Sequence, residues 1–251
     1  MQMAVETRKS APAHFRWRSA SVISKGNVRR HNEDSLLELP KAGLWAVADG
    51  MGGHNAGDVA SRMIVESLAA VRRHAKPSDL LNEVEDRLCE VNNELFQVSL
   101  GGSGVSGSTV AVLLALDRHV LCVWAGDSRI YRWRAGELAQ LTRDHSETQE
   151  LLDGGLITPE KAAEREASNV ITRAVGGAED LHLDIELFEL RNDDRFLICS
   201  DGLYRELPDD VLAQHLAKMN PSKACAALLE HALAGECRDN ISAIIVQFAA
   251  A

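Results

Sequence analysis

The sequence predicts an α+β fold: a four-layer αββα sandwich in which two antiparallel β-sheets pack face to face and are flanked by helix pairs. Three strand-like runs follow one another closely between residues 109 and 133, and connections so short favour antiparallel pairing. The helical patterns occur in neighbouring pairs instead of alternating with single strands, which does not favour βαβ units. Both observations group strands with strands and helices with helices.

Hydrophobic periodicity and turn residues assign the elements in chain order. Apolar and β-branched runs predict strands at 17–24, 36–39, 44–48, 109–116, 120–125, 129–133, 183–187, 195–199 and 241–248. Apolar residues at helical spacing predict helices at 56–74, 78–98, 209–219 and 222–234. Ser78 or Asp79 is the expected N-cap of the second helix. The three runs between 109 and 133 are expected to form antiparallel meanders.

The remaining segments are assigned by composition. Residues 1–15 are polar and are expected to form a flexible tail, whereas 16–249 are expected to fold as one domain. Residues 142–178 are polar and weakly periodic, which predicts a segment inserted at the surface.

Composition and charge exclude several classes of protein. The chain has 251 residues, of which 45% are hydrophobic and 25% charged, as in an ordinary globular protein. A net charge of −10 disfavours non-specific binding to nucleic acid or to an anionic membrane. The five cysteines form no CxxC pair, so they predict neither a disulfide framework nor a thiolate zinc site. No secretory leader or long apolar span is recognisable, and a cytoplasmic location is expected.

The pattern that carries chemistry is an aspartate where an apolar strand ends or begins. Asp49 ends LWAVAD, Asp127 ends VLCVWAGD, Asp201 follows RFLICS, and Asp239 leads into ISAIIVQF. One such aspartate alone is typical of a hairpin turn. Four of them on core strands of one sandwich predict a carboxylate cluster that is costly unless cations occupy it. Oxygen ligands favour Mg²⁺ or Mn²⁺, and the sequence has neither HExxH nor an EF-hand loop to favour zinc or calcium.

Eight short motifs occur in order along the chain. They are HNED at 31–34, DGMGGH at 49–54, GST at 107–109, GDSRIY at 126–131, LTRDHS at 141–146, ITRAVG at 171–176, CSDGL at 199–203 and RDN at 238–240. Together they resemble the ordered motifs of the metal-dependent Ser/Thr protein phosphatases, the PPM or type-2C family, in their bacterial form. The resemblance covers roughly residues 19–248, and it implies hydrolysis of phosphoserine and phosphothreonine with two or three Mn²⁺ or Mg²⁺ ions.

The resemblance also implies roles for the matching residues in the core metal site. Asp49 would bridge two ions, and the backbone carbonyl of Gly50 would bind the first. Asp201 and Asp239 would complete the second site. A hydroxide held between the two ions would attack phosphorus in line, without a covalent phosphoenzyme.

Further roles are implied around that core. Glu33 and Asp34 would contact the metals directly or through water. Asp127 would bind a third, weaker ion, shared with Asp201. Arg29, five residues before Asp34, would bind the substrate phosphate through its planar fork.

The sequence departs from the family pattern at two points. Met51 stands where eukaryotic relatives often carry a histidine proposed as general acid, and His54 lies three residues further on. The general acid is therefore unassigned, and a metal-bound water can serve instead. Residues 145–178 match the family's flap, which influences substrate access, but the proline-containing lead-in to ITRA is missing.

Other functional motifs are not favoured. The stretch 102–107 fits GxGxxG, yet a predicted helix precedes it and a strand follows, the reverse of a dinucleotide-binding turn. There is no P-loop and no GxSxG nucleophile elbow.

Three hypotheses follow, in order of preference. The first is a monomeric, free-standing phosphatase that acts on phosphorylated proteins and opposes bacterial Ser/Thr kinases. The second is a weakly catalytic regulator that binds phosphoproteins on the same fold, against which the intact set of four aspartates argues. The third is a phosphatase for a small phosphorylated metabolite, and comparing turnover of phosphopeptides and sugar phosphates would separate it from the first.

Overall fold

The computed structural model describes residues 15–52, 56–74, 76–101, 106–165 and 170–251. Within them the strands are β1 Phe15–Ser24, β2 Asp34–Leu39, β3 Leu44–Gly52, β4 Ser106–Ser108, β5 Val110–Leu116, β6 His119–Ala125, β7 Arg129–Arg134, β8 Glu137–Gln140, β9 Asp184–Glu189, β10 Arg195–Cys199 and β11 Ile241–Ala250. The helices are α1 Ala56–Ala69, α2 Pro77–Leu100, α3 Glu147–Asp153, α4 Pro159–Arg165, α5 Asp201–Tyr204, α6 Asp209–Lys218 and α7 Pro221–Leu233. His54 and residues 102–105 lie outside the described residues, as does the expected tail except for Phe15.

The strands form two antiparallel sheets, as predicted. One has the order β1-β11-β10-β7-β8, and the other has the order β2-β3-β5-β6-β9, with β4 paired to β3. Buried side chains of α1 and α2 pack on the second sheet, and those of α5, α6 and α7 pack on the first. The prediction of an αββα sandwich is therefore confirmed. None of the described helices is long and apolar enough to cross a membrane.

Large aromatic residues fill the space between the two sheets. The rings of Trp45 and Phe248 meet edge to face with centroids 6.2 Å apart, and Phe196 meets Phe248 in the same way at 5.6 Å. All three side chains are fully buried. Such edge-to-face pairs add about 0.5–1.5 kcal/mol each to the burial of their area. This core holds the strand ends, which carry the predicted site, in fixed positions.

Two helix boundaries differ from the prediction. The helix expected to reach residue 74 ends at Ala69. The second helix begins at Pro77 with Lys76 as its N-cap and no side-chain cap, so the assignment of Ser78 or Asp79 was wrong. Proline is favoured at the first helical position because the N–H that it lacks would have no helical partner there.

The chain crosses from one sheet to the other between β6 and β7. Strand β6 pairs with β5 and β9, whereas β7 pairs with β10 in the opposite sheet, so the expected meander of three strands stops after two. The crossing uses Gly126 at φ 111°, where a Cβ would overlap the side chain of Thr109. Asp127 is the next residue, and the crossing places it between the two sheets at the end that carries the other aspartates.

Part of the segment expected at the surface is buried. Thr142, Asp144, His145 and Ser146 are buried, and their side chains bond to strand β7, to Gly126 in the crossing and to the start of α3. The surface assignment was wrong for this lead-in. Sequence reasoning also missed strand β8 and the four-residue helix α5, both too short to show a periodicity.

Candidate metal centre

One end of the sandwich brings together the four aspartates that the sequence pattern indicates, together with a fifth. Asp49 in β3 stands opposite Asp34 in β2. Asp127 follows β6, Asp201 begins α5 directly after β10, and Asp239 precedes β11. All four of the other carboxylates act electrostatically on Asp49. Five segments of the chain therefore place five carboxylates in one cluster.

Burial and mutual repulsion raise the pKa values of four carboxyl groups in this cluster, those of Asp34, Asp49, Asp127 and Asp201. Burial raises the pKa of Asp34 to about 7, although a hydrogen bond from Ser200 opposes the shift. Burial and the charge of Asp201 raise the pKa of Asp127 to about 7. The pKa of Asp49 lies well above its ordinary value because it is buried among the other four carboxylates. At neutral pH such a group of acids is stabilised by protons or by cations.

The donor set fits a hard divalent cation. Oδ1 of Asp34 and Oδ1 of Asp127 are buried and have no hydrogen-bond partner among the described residues. Buried carboxylate oxygens without partners are costly, and they are the ligands that Mg²⁺ and Mn²⁺ prefer. No three His, Cys, Asp or Glu side chains in the described ranges are already arranged to hold one ion together. The chemistry of the cluster therefore fits the predicted ions, and the assignment of individual ligands stays a prediction.

Two glycines allow the loops of the cluster to approach one another. A Cβ on Gly50 would overlap the carbonyl oxygens of Gly57 and Glu33, and the Gly50 N–H donates to Glu33 O at 3.1 Å. A Cβ on Gly202 would overlap the carbonyl of Asn240. Glycine is required at both positions, so the DG pairs at 49–50 in β3 and 201–202 in α5 are packing requirements and not the turns that such pairs usually indicate.

Asn240 fixes the loop that precedes β2. Its Oδ1 accepts from the Glu33 N–H at 2.8 Å, and its Nδ2 donates to the carbonyls of Lys25 and His31 at 3.1 Å each. The side chain is buried, and it lies next to Asp239 in the chain. Glu33 and Asp239, which sequence analysis assigned to one site, are thus joined through this amide.

Two of the carboxylates are held in position by hydroxyl groups. Sequence reasoning did not identify these hydroxyl groups. Ser200 Oγ donates to Asp34 Oδ2 at 2.8 Å. Thr109 Oγ1 accepts from the Asp49 N–H at 3.1 Å, and Ser108 Oγ donates to the Asp49 carbonyl at 2.9 Å. These residues could have been found from the sequence, because they belong to the CSDGL and GST motifs.

Arg29 lies at the rim of the cluster. Its Nη2 is 2.7 Å from Asp239 Oδ2, and 52% of its side chain is exposed. The hydrogen bond to Asp239 raises the pKa of Arg29, which is charged in any case. The structure therefore places the predicted phosphate-binding arginine beside a predicted metal ligand, with half of its surface open to a substrate.

Arg205 is a second cation at the cluster, and sequence analysis did not single it out. Its Nη1 is 2.9 Å from Asp201 Oδ2, and its Nη2 is 3.6 Å from Asp127 Oδ2. These two contacts neutralise part of the charge on one side of the cluster.

A cleft of about 280 Å³ has Met51 in its wall. Met51, two residues after Asp49, lines it together with Ile171, Arg173, Leu181 and His182. The cleft thus brings Met51 next to the end of the segment that the sequence predicts to be a flap.

Comparison with known proteins defines the class. The family described as Protein phosphatase 2C matches residues 21–234, and the chain belongs to that family. The curated "Serine/threonine phosphatase stp" of Listeria innocua is 32% identical over 89% of this chain and 92% of its own length. "Serine/threonine protein phosphatase PstP" of Mycobacterium tuberculosis is 36% identical over 91% of this chain, which spans only 44% of that protein.

Solved structures agree with this assignment. "PppA, a key regulatory component of T6SS in Pseudomonas aeruginosa" is 40% identical, with a TM-score of 0.85 over 92% of this chain and 97% of that one. The catalytic domain of PstP, solved "in complex with 2 Manganese ions", is 34% identical, with a TM-score of 0.84 over 94% of this chain and 99% of that one.

Proposed function

We propose that this chain is a metal-dependent phosphatase that hydrolyses phosphoserine and phosphothreonine in proteins and opposes Ser/Thr kinases. The observation that carries the proposal is the cluster of five aspartates, of which Asp34 and Asp127 are buried, beside a half-exposed arginine. Membership of the protein phosphatase 2C family supports it, and so do the names of the curated relatives.

The proposed ligands of two Mn²⁺ or Mg²⁺ ions are Asp49, the Gly50 carbonyl, Asp201 and Asp239, with Glu33 and Asp34 contacting them directly or through water. Bound there, the ions would supply a water of lowered pKa as nucleophile and would neutralise phosphoryl oxygens. The chain's own groups keep the ligands in place. Ser200 holds one oxygen of Asp34 and leaves the other free, while Thr109 and Ser108 fix the backbone of Asp49.

Arg29 is proposed to receive the substrate phosphate. A guanidinium fork can donate two parallel hydrogen bonds to phosphoryl oxygens, and this stabilises the charge of an in-line displacement. One fork nitrogen now bonds to Asp239, so phosphate binding would exchange a carboxylate partner for a phosphate partner. Met51 has no proton to give, so the leaving alkoxide would take its proton from water at the site.

The net charge of −10 makes local positive charge necessary for an anionic substrate. Arg29 supplies it at the rim, and the cleft lined by Met51 offers room for a neighbouring side chain of a phosphorylated protein segment. We propose a cytoplasmic, monomeric enzyme whose partners are phosphorylated proteins and a cognate kinase.

The test is hydrolysis of a phosphothreonine peptide by purified protein with Mn²⁺, Mg²⁺ or EDTA, with a sugar phosphate as the comparison substrate. Asp49→Asn and Asp239→Asn are the test variants. Asp117→Asn is the matched control, because it makes the same change in the β5–β6 turn, at the other end of that hairpin from Asp127.

We expect turnover of the peptide that requires Mn²⁺ or Mg²⁺ and is lost in both test variants but not in the control. Preference for the sugar phosphate would replace the protein substrate with a metabolite. Inactivity of the folded wild-type protein under all conditions would favour a phosphoprotein-binding regulator. Activity that survives both EDTA and the two substitutions would show that the aspartates have another role.

A further inference from the structure

Arg205 occupies the position between Asp127 and Asp201. Its guanidinium contacts one carboxylate oxygen of each, at 3.6 Å and 2.9 Å. Only 29% of the Arg205 side chain is exposed, and Asp127 is almost completely buried. These two aspartates are the pair that family resemblance assigns to a third ion, so a cation built into the chain stands beside both expected ligands.

The local fold holds Arg205 in this place. It lies four residues after Asp201, at the C-terminal end of α5, where side chains at i and i+4 share one helix face. The Arg205 N–H donates to the Asp201 carbonyl at 3.0 Å. Next to it, the Tyr204 hydroxyl donates to the Asp127 carbonyl at 3.0 Å, which ties α5 to the crossing between the two sheets. The backbone of Arg205 is therefore held beside both aspartates, and its partly buried side chain contacts both carboxylates.

We propose that Arg205 is the resident counter-cation of Asp127 and Asp201, and that it excludes a third divalent ion from this pair unless its side chain moves away. This inference rests on the proposed function. It describes a site that binds two divalent ions and has the Arg205 guanidinium in place of a third. A divalent ion beside a fixed guanidinium would meet like charge, and its two carboxylate ligands would have to give up an existing partner. The Asp127 Oδ1 atom, unpartnered among the described residues, would become available for an ion together with Oδ2 once the guanidinium is removed.

The experiment counts bound Mn²⁺ by electron paramagnetic resonance of the free ion during titration, a readout independent of turnover. The variants are Arg205→Met, which keeps the length of the stem and removes the charge, and Arg205→Lys, which keeps the charge. Arg118→Met is the control, because Arg118 pairs with exposed Glu189 and does so outside the cluster.

We expect the wild type, Arg205→Lys and Arg118→Met to bind two ions tightly. Arg205→Met should bind a third ion about tenfold or more tightly than the wild type does, as expected for loss of a like charge a few ångströms away. Adding Asp127→Asn to Arg205→Met should abolish that third site. If Arg205→Met does not fold, Arg205→Gln supplies the same neutral comparison.

A third ion bound with the same affinity in the wild type and in the neutral variant would overturn the inference, while leaving two-ion binding and peptide hydrolysis intact. Failure of the wild type to bind even two ions, together with absent hydrolysis, would overturn the proposed function instead.

Discussion

The protein groups acidic side chains in two regions that differ in the charges around them. In one region the carboxylates are paired with arginines, and in the other they lie next to further carboxylates. Two buried aspartates are each paired with an arginine of strand β7. Arg129 bonds to both oxygens of Asp144. Arg134 bonds to both oxygens of Asp194, at 2.7 Å and 2.6 Å. At the metal centre the principal charges acting on Asp49 are four other carboxylates.

The difference distinguishes carboxylates that are paired within the fold from carboxylates that we propose to bind metal ions. A carboxylate matched by a bidentate guanidinium is satisfied inside the protein and has no use for a metal ion. A group of carboxylates that outnumbers its cations stores repulsion that a divalent ion relieves. The five predictions below test this contrast, beginning with the largest effect.

Removing the arginine of a matched pair should destabilise the fold strongly. Arg134→Met leaves Asp194, which is completely buried, with an uncompensated charge, and we expect a loss of about 3–5 kcal/mol in the free energy of unfolding. Urea denaturation measures it. Arg143→Met, which breaks the exposed pair with Asp153, is the control and should cost less than about 1 kcal/mol.

Urea denaturation of a variant in the metal centre should show no loss in the free energy of unfolding, in contrast to Arg134→Met. In metal-free buffer, Asp49→Asn removes one of several mutually repelling charges, so its free energy of unfolding should be equal to or above that of the wild type. A loss comparable to that of Arg134→Met would mean that the cluster is a structural ion-pair network, and the contrast between the two regions would be lost.

Arg29 should act on the substrate and not on the metal. Arg29→Ala is expected to lower kcat/KM for a phosphothreonine peptide by about 10²-fold, roughly 2.7 kcal/mol, because phosphoryl charge loses a forked donor. Arg29→Lys should recover only part of the activity, since an ammonium cannot form the fork. Mn²⁺ affinity should be unchanged or higher, because Asp239 loses its hydrogen-bond partner.

The neighbouring substitution Arg30→Ala is the control for Arg29, since it removes the same charge one residue away. Equal losses in both variants would point to the general charge of the loop. A fall in Mn²⁺ affinity in Arg29→Ala would place this arginine in support of the metal site.

Ser200 should tune metal binding through Asp34. Ser200→Ala removes the hydrogen bond that holds Asp34 Oδ2 at 2.8 Å, and loss of such a support for a ligand typically costs about 10- to 100-fold in metal affinity. Isothermal titration with Mn²⁺ measures the change, and the exposed Ser222→Ala in α7 is the control. Unchanged affinity would remove Asp34 from the proposed ligand set.

Some features of the fold and of the site could be predicted from the sequence, and others could not. Local periodicity located the core strands and the paired helices, and strand-end aspartates located the cluster, because both signals are local. The crossing at Gly126 was missed, since the partner of β7 is decided by a strand about 65 residues later in the chain. Arg205 was missed for a related reason: its role depends on Asp127, which is distant in sequence and brought near only by that crossing.

The smallest predicted effect concerns His145, which lies between the two regions. Its Nδ1 accepts from the Gly126 N–H at 3.1 Å, its Nε2 is 3.1 Å from Asp184, and its ring stacks on Trp124. Burial lowers the pKa of His145, with Arg173 adding to the shift and Asp184 opposing it. His145 is therefore protonated at a lower pH in the folded protein than in the unfolded chain, where a histidine has a pKa of about 6.5.

Stability should thus fall as the pH drops below about 6.5, until the folded pKa is reached. The free energy of unfolding measured in urea at pH 7.5 and at pH 5.5 should decrease more for the wild type than for His145→Gln, by up to about 1 kcal/mol. Glutamine can still accept from the Gly126 N–H but cannot take up the proton, and the aspartate cluster is common to both proteins, so its own pH dependence cancels in the comparison. An identical decrease in the two proteins would show that protonated His145 is tolerated, with Asp184 compensating the charge as the arginines do for Asp144 and Asp194.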